Sequence, residues 1–122
     1  MEIKETMKAI HANAREKGFF EKEKNIAEML CLIHSEVSEA LEADRNDEYY
    51  EDNVNVLNGW VSDDDFHKHY KLDAKGTFEE EMADIMIRVM DLCEFKKIDL
   101  EGHIQAKMRY NSMREKYHGK KY

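Results

Sequence analysis

Two pairs of carboxylates could do chemistry here: Glu36 and Glu39 in HSEVSEALEA, and Glu81 and Asp84 in FEEEMADIMIRVM. Residues three apart share one face of a helix, so each pair can close on a single target. Both pairs sit among apolar residues, where a helix turns its buried side inward, and carboxylates go there only with a partner. If the two helices face each other, four acids converge and repel unless they bind cations or share protons. A divalent cation is the simplest partner. Mg²⁺ takes oxygen ligands readily, and Mn²⁺ can substitute for it.

A cationic set lies near the end of the chain. After Leu100 and Ile104, the same helical stripe continues as Lys107, Asn111 and Arg114. From Gln105 to Tyr122 there are six Lys or Arg residues against Glu115 alone. A solubilising tail would account for this equally well, but such a face also suits the outer oxygens of a polyphosphate.

The elements that must position these residues are helices. The chain has no proline, and its five glycines fall mostly where helices would stop or start. A first helix is expected from about Glu2 to Lys17, with Ile3, Met7, Ile10 and Ala14 on one stripe and Gly18 as its stop. A second runs from about Lys22 to Arg45, with Glu36 and Glu39 on the flank of its apolar side. A third opens at Thr77, where Thr-Phe-Glu-Glu forms a capping box with Glu80. It is apolar around most of its circumference and reads as a central helix, with Arg88 one turn beyond Asp84 and able to pair with it. A last helix follows Asp99 as N-cap and runs to about Lys116.

Between the second and third helices, residues 46–76 are acidic, aromatic-rich and poorly periodic. This segment reads as a long loop carrying short helical turns, one of them capped by Ser62 ahead of Asp65. Trp60, Phe66 and Tyr70 could stack on a base or simply anchor the loop. His67 and His69 are too weak a pattern to argue for a metal.

At 122 residues the chain is expected to form one domain spanning 1–122. A net charge of −8 argues against broad binding to nucleic acid or anionic membrane. No run is long enough to cross a bilayer, and Cys31 and Cys93 fall in helical stretches of a chain that starts with a charged, amphipathic segment. Reduced thiols and a cytoplasmic location are expected. No glycine-rich phosphate loop precedes a helix, so phosphate chemistry would rest on side chains and metal. A di-iron carboxylate bundle needs two E-x-x-H motifs, and the chain has only Glu115 to His118.

The ordered set E-x-x-E at Glu36 and Glu39, E-x-x-D at Glu81 and Asp84, then IDLEGHIQAKMRYN and the ending REKYHGKKY resembles the MazG-like all-α nucleoside triphosphate pyrophosphohydrolases. The resemblance covers the second half well and the first helices loosely. It implies an all-α, four-helix-bundle-like pyrophosphatase fold with residues 46–76 as an insertion between the second and third main helices. It further implies a homodimer or homotetramer, Mg²⁺ held by Glu36, Glu39, Glu81 and Asp84, and hydrolysis of a nucleoside triphosphate to monophosphate and pyrophosphate. Lys107, Asn111 and Arg114 would then contact the substrate. The long insertion, and a tail without its usual proline around Tyr117 and His118, depart from the family pattern. A phosphoribosyl-ATP pyrophosphohydrolase, or a non-catalytic helical interaction module, are the alternatives.

Overall fold

The computed structural model describes residues 2–22 and 25–114. Among them the chain is all-helical: α1 (Ile3–Glu16), α2 (Ile26–Arg45), α3 (Val54–Asn58), α4 (Asp63–His69), a π-helical turn (Tyr70–Ala74), α5 (Phe78–Phe95) and α6 (Leu100–Ser112). No helix among the described residues is long and apolar enough to cross a membrane. The chain divides into two compact units, one of residues 1–23 and 90–122, the other of residues 24–89.

Helix ends follow local chemistry. Gly18 has φ +87°, Phe19 N–H reaches the Ala14 carbonyl at 3.0 Å and Gly18 N–H reaches Arg15 at 3.1 Å, a Schellman closure of α1. The same pattern closes α2 at Asp47 (φ 55°) and α5 at Lys97 (φ 57°), with Glu48 N–H on Ala43 and Ile98 N–H on Cys93. Helix α2 starts at Ile26, capped by Asn25 accepting from Ala27 N–H at 2.7 Å, rather than near Lys22. Ser62 and Asp99 cap α4 and α6 as their spacing predicts, at 3.2 and 3.0 Å. Asp99 folds so closely over Gly102 that a Cβ there would meet its Oδ2 at 2.6 Å. Helix α6 ends at Ser112, short of Lys116, because Met113 and Arg114 turn back onto Tyr110 and Asn111.

In the first unit, α1 packs beside α6 and is tied to it by Ile3 N–H donating to Glu101 Oε1 at 3.1 Å. Met7 is its most buried side chain. His11 Nδ1 lies 2.8 Å from Asp91 Oδ1, with the ring of Phe20 edge-on to the imidazole and stacked on Phe95.

In the second unit, α2 and the part of α5 through Val89 run antiparallel. Phe78 N–H bonds Glu48 at the α2 end, while Arg88 meets Glu36 ten residues further along α5. The core here is Met29, Ala40, Ala43, Leu57 and Ala74. The 46–76 segment is more ordered than a loop: Asn53 and Ser62 cap two short helices, and the π turn delivers the chain to Thr77. At about 100° per residue, the exposed Leu30, Val37 and Leu41 lie roughly 100–140° round α2 from Glu36. Exposed Met82 and Met86 lie at the same angle, in the same sense, round α5 from Glu81. In an antiparallel pair these two stripes share one side. The expectation of a centrally buried third helix therefore fails within this chain, since Glu81 is the buried residue of α5.

Candidate functional site

The acid cluster is built on this antiparallel pair. Asn25 caps α2 three turns ahead of Glu36, and Thr77 starts α5 one turn ahead of Glu81. Thr77 Oγ1 accepts from Glu80 N–H at 3.3 Å and donates to the Ala74 carbonyl at 2.7 Å. The Glu80 carboxylate reaches back to Gly76 N–H at 2.9 Å, one residue earlier than a standard capping box.

Carboxylate oxygens of Glu36, Glu39 and Glu81 lie within 4.8 Å of one another, and so do those of Glu80, Glu81 and Asp84. The four sequence-predicted ligands are thus distributed over two overlapping triads that share Glu81. Glu80 enters as a fifth acid. Its sequence signal is the one-turn spacing of Glu80 and Asp84, which coexists with its capping role at Thr77.

Glu36 and Glu81 are only 7% and 8% exposed. Arg88 Nε donates to Glu36 Oε1 at 2.8 Å, so the arginine's hydrogen bond goes to Glu36 rather than to Asp84. Glu36 Oε2 and Glu81 Oε2 are buried with no hydrogen-bond partner. Their polar neighbours are other carboxylates, which can bond only when one of them carries a proton.

The electrostatics follow. Burial, then contact with Glu39 and Glu36, raises the Glu81 carboxyl from 4.5 to about 7. Burial and the charges of Glu36 and Glu80 raise Asp84, against some relief from Arg88. At Glu36 burial pushes upward, but the Arg88 hydrogen bond, contact with Glu39, the Arg88 charge and contact with Glu81 outweigh it, leaving the carboxyl low. Among the described residues one arginine, itself partly exposed, pairs with this set of acids. The donor set is all carboxylate oxygen with two unsatisfied buried atoms, which fits a hard divalent cation.

The remaining predicted residues sit elsewhere. Lys107, Asn111 and Arg114 belong to the first unit, where the Lys107 ammonium and Arg114 guanidinium lie 5.0 and 5.4 Å from the Tyr110 ring. Trp60 stacks on His69 at 4.0 Å with the planes 5° apart, and His69 lies 3.9 Å from Asp73. Phe66 leans on Tyr70 at 5.7 Å. Tyr70 alone of the three aromatics touches the acids, since burial and a hydrogen bond to Glu80 raise its phenol. Tyr117 and His118 lie outside the described residues. Comparison with family models, with curated proteins and with solved structures finds no match to this chain.

Proposed function

We propose that this chain hydrolyses a nucleoside triphosphate to the monophosphate and pyrophosphate with Mg²⁺, as a MazG-like pyrophosphohydrolase would, in nucleotide house-cleaning or control of the nucleotide pool. The observation that carries the reading is the pair of buried, partnerless oxygens Glu36 Oε2 and Glu81 Oε2 inside a three-carboxylate group. Buried polar atoms are almost always satisfied, and an ion satisfies both at once. Glu36, Glu39 and Glu81 would hold it, with Asp84 and Glu80 offering the adjoining oxygens. When bound, Mg²⁺ neutralises phosphate charge and lowers the pKa of an attacking water.

The protein's own groups do the rest. Arg88 fixes Glu36 so that one oxygen is spent and the other is presented. Glu39, the exposed member of its triad, is the carboxylate open to a proton from water. Lys107, Asn111 and Arg114 are assigned to phosphate oxygens. A second copy would cover the Leu30, Val37, Leu41, Met82 and Met86 face, giving a homodimer or a tetramer built from it. A cytoplasmic, thiol-reducing setting goes with this reading, since Cys31 and Cys93 are both free.

The Arg88–Glu36 pair favours one other reading, a non-catalytic helical module in which acids only pair with cations. It leaves Glu81 unexplained. The test is pyrophosphate release with Mg²⁺ over canonical and modified nucleoside triphosphates and phosphoribosyl-ATP. Wild type should release it, and Glu36→Gln and Glu81→Gln should lose at least about 100-fold, as loss of direct ligands exceeds the 10–100-fold of outer-shell changes. Unchanged turnover in Glu81→Gln refutes the assignment.

A further inference from the structure

A cavity of about 330 Å³ in the second unit adjoins the acid cluster, because Glu80 lines the one and belongs to the other. Its apolar lining comes from Val54, Leu57, Ala74 and Ala83, with Tyr50 and Tyr70 adding ring surface. Leu57 and Ala74 are each 5% exposed, so this floor is packed. The volume is at the lower end of ligand pockets, roughly 300–1,000 Å³, enough for one ring system rather than a whole nucleotide.

The polar lining has one sign. Asp52, Glu79 and Glu80 contribute carboxylates, and among the described residues no lysine, arginine or histidine lines the cavity. All three acids are held by backbone donors: Asn53 N–H bonds Asp52 at 2.7 Å, Tyr50 N–H bonds both oxygens of Glu79 at 3.0 and 3.1 Å, and Gly76 N–H bonds Glu80 at 2.9 Å. Tyr70 adds its hydroxyl to Glu80 from the π-helical turn, a backbone form often found at functional sites. An occupant must therefore be flat and uncharged or cationic, and must bring N–H donors. A phosphate cannot enter three fixed carboxylates without a cation.

Resting on the reading of the acid cluster as a metal site for phosphates, we propose that this cavity takes the nucleobase and selects bases carrying an exocyclic amino group. Cytosine, adenine and guanine present amino hydrogens that a carboxylate accepts directly. Uracil and thymine present a ring N–H flanked by carbonyl oxygens, whose lone pairs would face Asp52 and Glu79. The shared Glu80 puts the base end and the phosphate end of one substrate on adjoining surfaces.

Nucleosides lack phosphates, so their binding reads the cavity without metal or hydrolysis. Titration of the metal-free 122-residue chain with cytidine, adenosine, guanosine, uridine and thymidine, followed by NMR shifts, should give at least one amino nucleoside bound about tenfold tighter than uridine and thymidine. Ala83→Phe should abolish that binding by filling the cavity. Asp52→Asn, at an exposed position, should fold normally and narrow the preference at least about threefold. Equal binding of all five, preference for uridine or thymidine, no saturable binding, or selectivity untouched by both variants would overturn the proposal. Selective binding without metal-dependent pyrophosphate release would remove the hydrolase reading and leave the cavity assignment standing. Hydrolysis without nucleoside selectivity would do the reverse.

Discussion

Replacing Glu81 with Gln should stabilise the metal-free protein at pH 8 and leave it nearly unchanged at pH 5. The Glu81 carboxyl moves from 4.5 to about 7 on folding, so the folded state holds a proton that the unfolded chain has lost across that window. A raised carboxyl pKa gives stability that is fully present below 4.5 and is lost as pH rises through about 7. At 1.36 kcal/mol per pH unit the loss is about 3 kcal/mol. Asp84 is raised as well and acts in the same direction. Glu36 is lowered, so its contribution is present above 4.5 and disappears only below it, outside this window. Glutamine resembles the protonated acid in shape and can donate to Glu36 and Glu39 at every pH, so its stability should not fall with this step.

The assay is thermal unfolding by circular dichroism in a chelator, wild type against Glu81→Gln, at pH 5 and pH 8. For a chain of this length about 3 kcal/mol corresponds to roughly 10 °C in Tm. Adding Mg²⁺ at pH 8 should narrow the gap, because an ion present at 100 times its Kd stabilises wild type by about 2.7 kcal/mol and the variant by less. If the wild-type and Glu81→Gln curves keep the same separation at pH 5 and pH 8, the cluster does not share a proton and the argument from burial is wrong. If the separation changes as stated but Mg²⁺ has no effect, the proton sharing stands and the metal site falls.

Three other perturbations test separate parts. Arg88→Met leaves both oxygens of Glu36 without a donor and should cost about 2 kcal/mol, less than a fully buried pair because Arg88 is partly exposed, with partial recovery in Mg²⁺; a loss under about 0.5 kcal/mol in urea titration would contradict this. Thr77→Ala removes the acceptor for Glu80 N–H and should cost about 1 kcal/mol by the same measurement. Val37→Glu with Met86→Glu places charge on the exposed apolar side and should convert an oligomer to monomer in sedimentation at micromolar concentration; a wild type already monomeric there refutes self-association through this face.

Features written within a few residues were legible in the sequence. Ser62, Thr77 and Asp99 each cap a helix because a short polar side chain three residues ahead of a free N–H needs no help from the rest of the fold. Gly18 stopped α1 for an equally local reason. Asp47 and Lys97 close helices in the same left-handed form, but nothing in their residue types announces it, because the surrounding Schellman bonds hold them there. Non-local choices were hidden. Sequence spacing offered Arg88 to Asp84, whereas the fold gives it to Glu36, 52 positions away. Trp60 found His69, and no periodic rule pairs two residues across a loop and a short helix.

The inverted layering of α5 joins these threads. Its composition says that surface must be covered on nearly every side, and periodicity alone cannot say by what. Within this chain the covered residue is an acid, Glu81, while Met82, Met86 and Ile87 are each 44–45% exposed. Leaving thioethers in water while burying a carboxylate is unfavourable on both counts. The arrangement would become favourable with an apolar surface over the methionines and, on the proposed reading, a cation among the acids. The two should also reinforce each other: covering Met82 and Met86 removes water from the flank of α5, lowers the local dielectric and strengthens the hold of the carboxylates on an ion. Oligomerisation and Mg²⁺ binding are therefore expected to be thermodynamically coupled. The Val37→Glu and Met86→Glu protein should bind Mg²⁺ more weakly than wild type although neither residue belongs to the acid cluster, and equal affinity in a calorimetric titration would show that the two faces of the helix act independently.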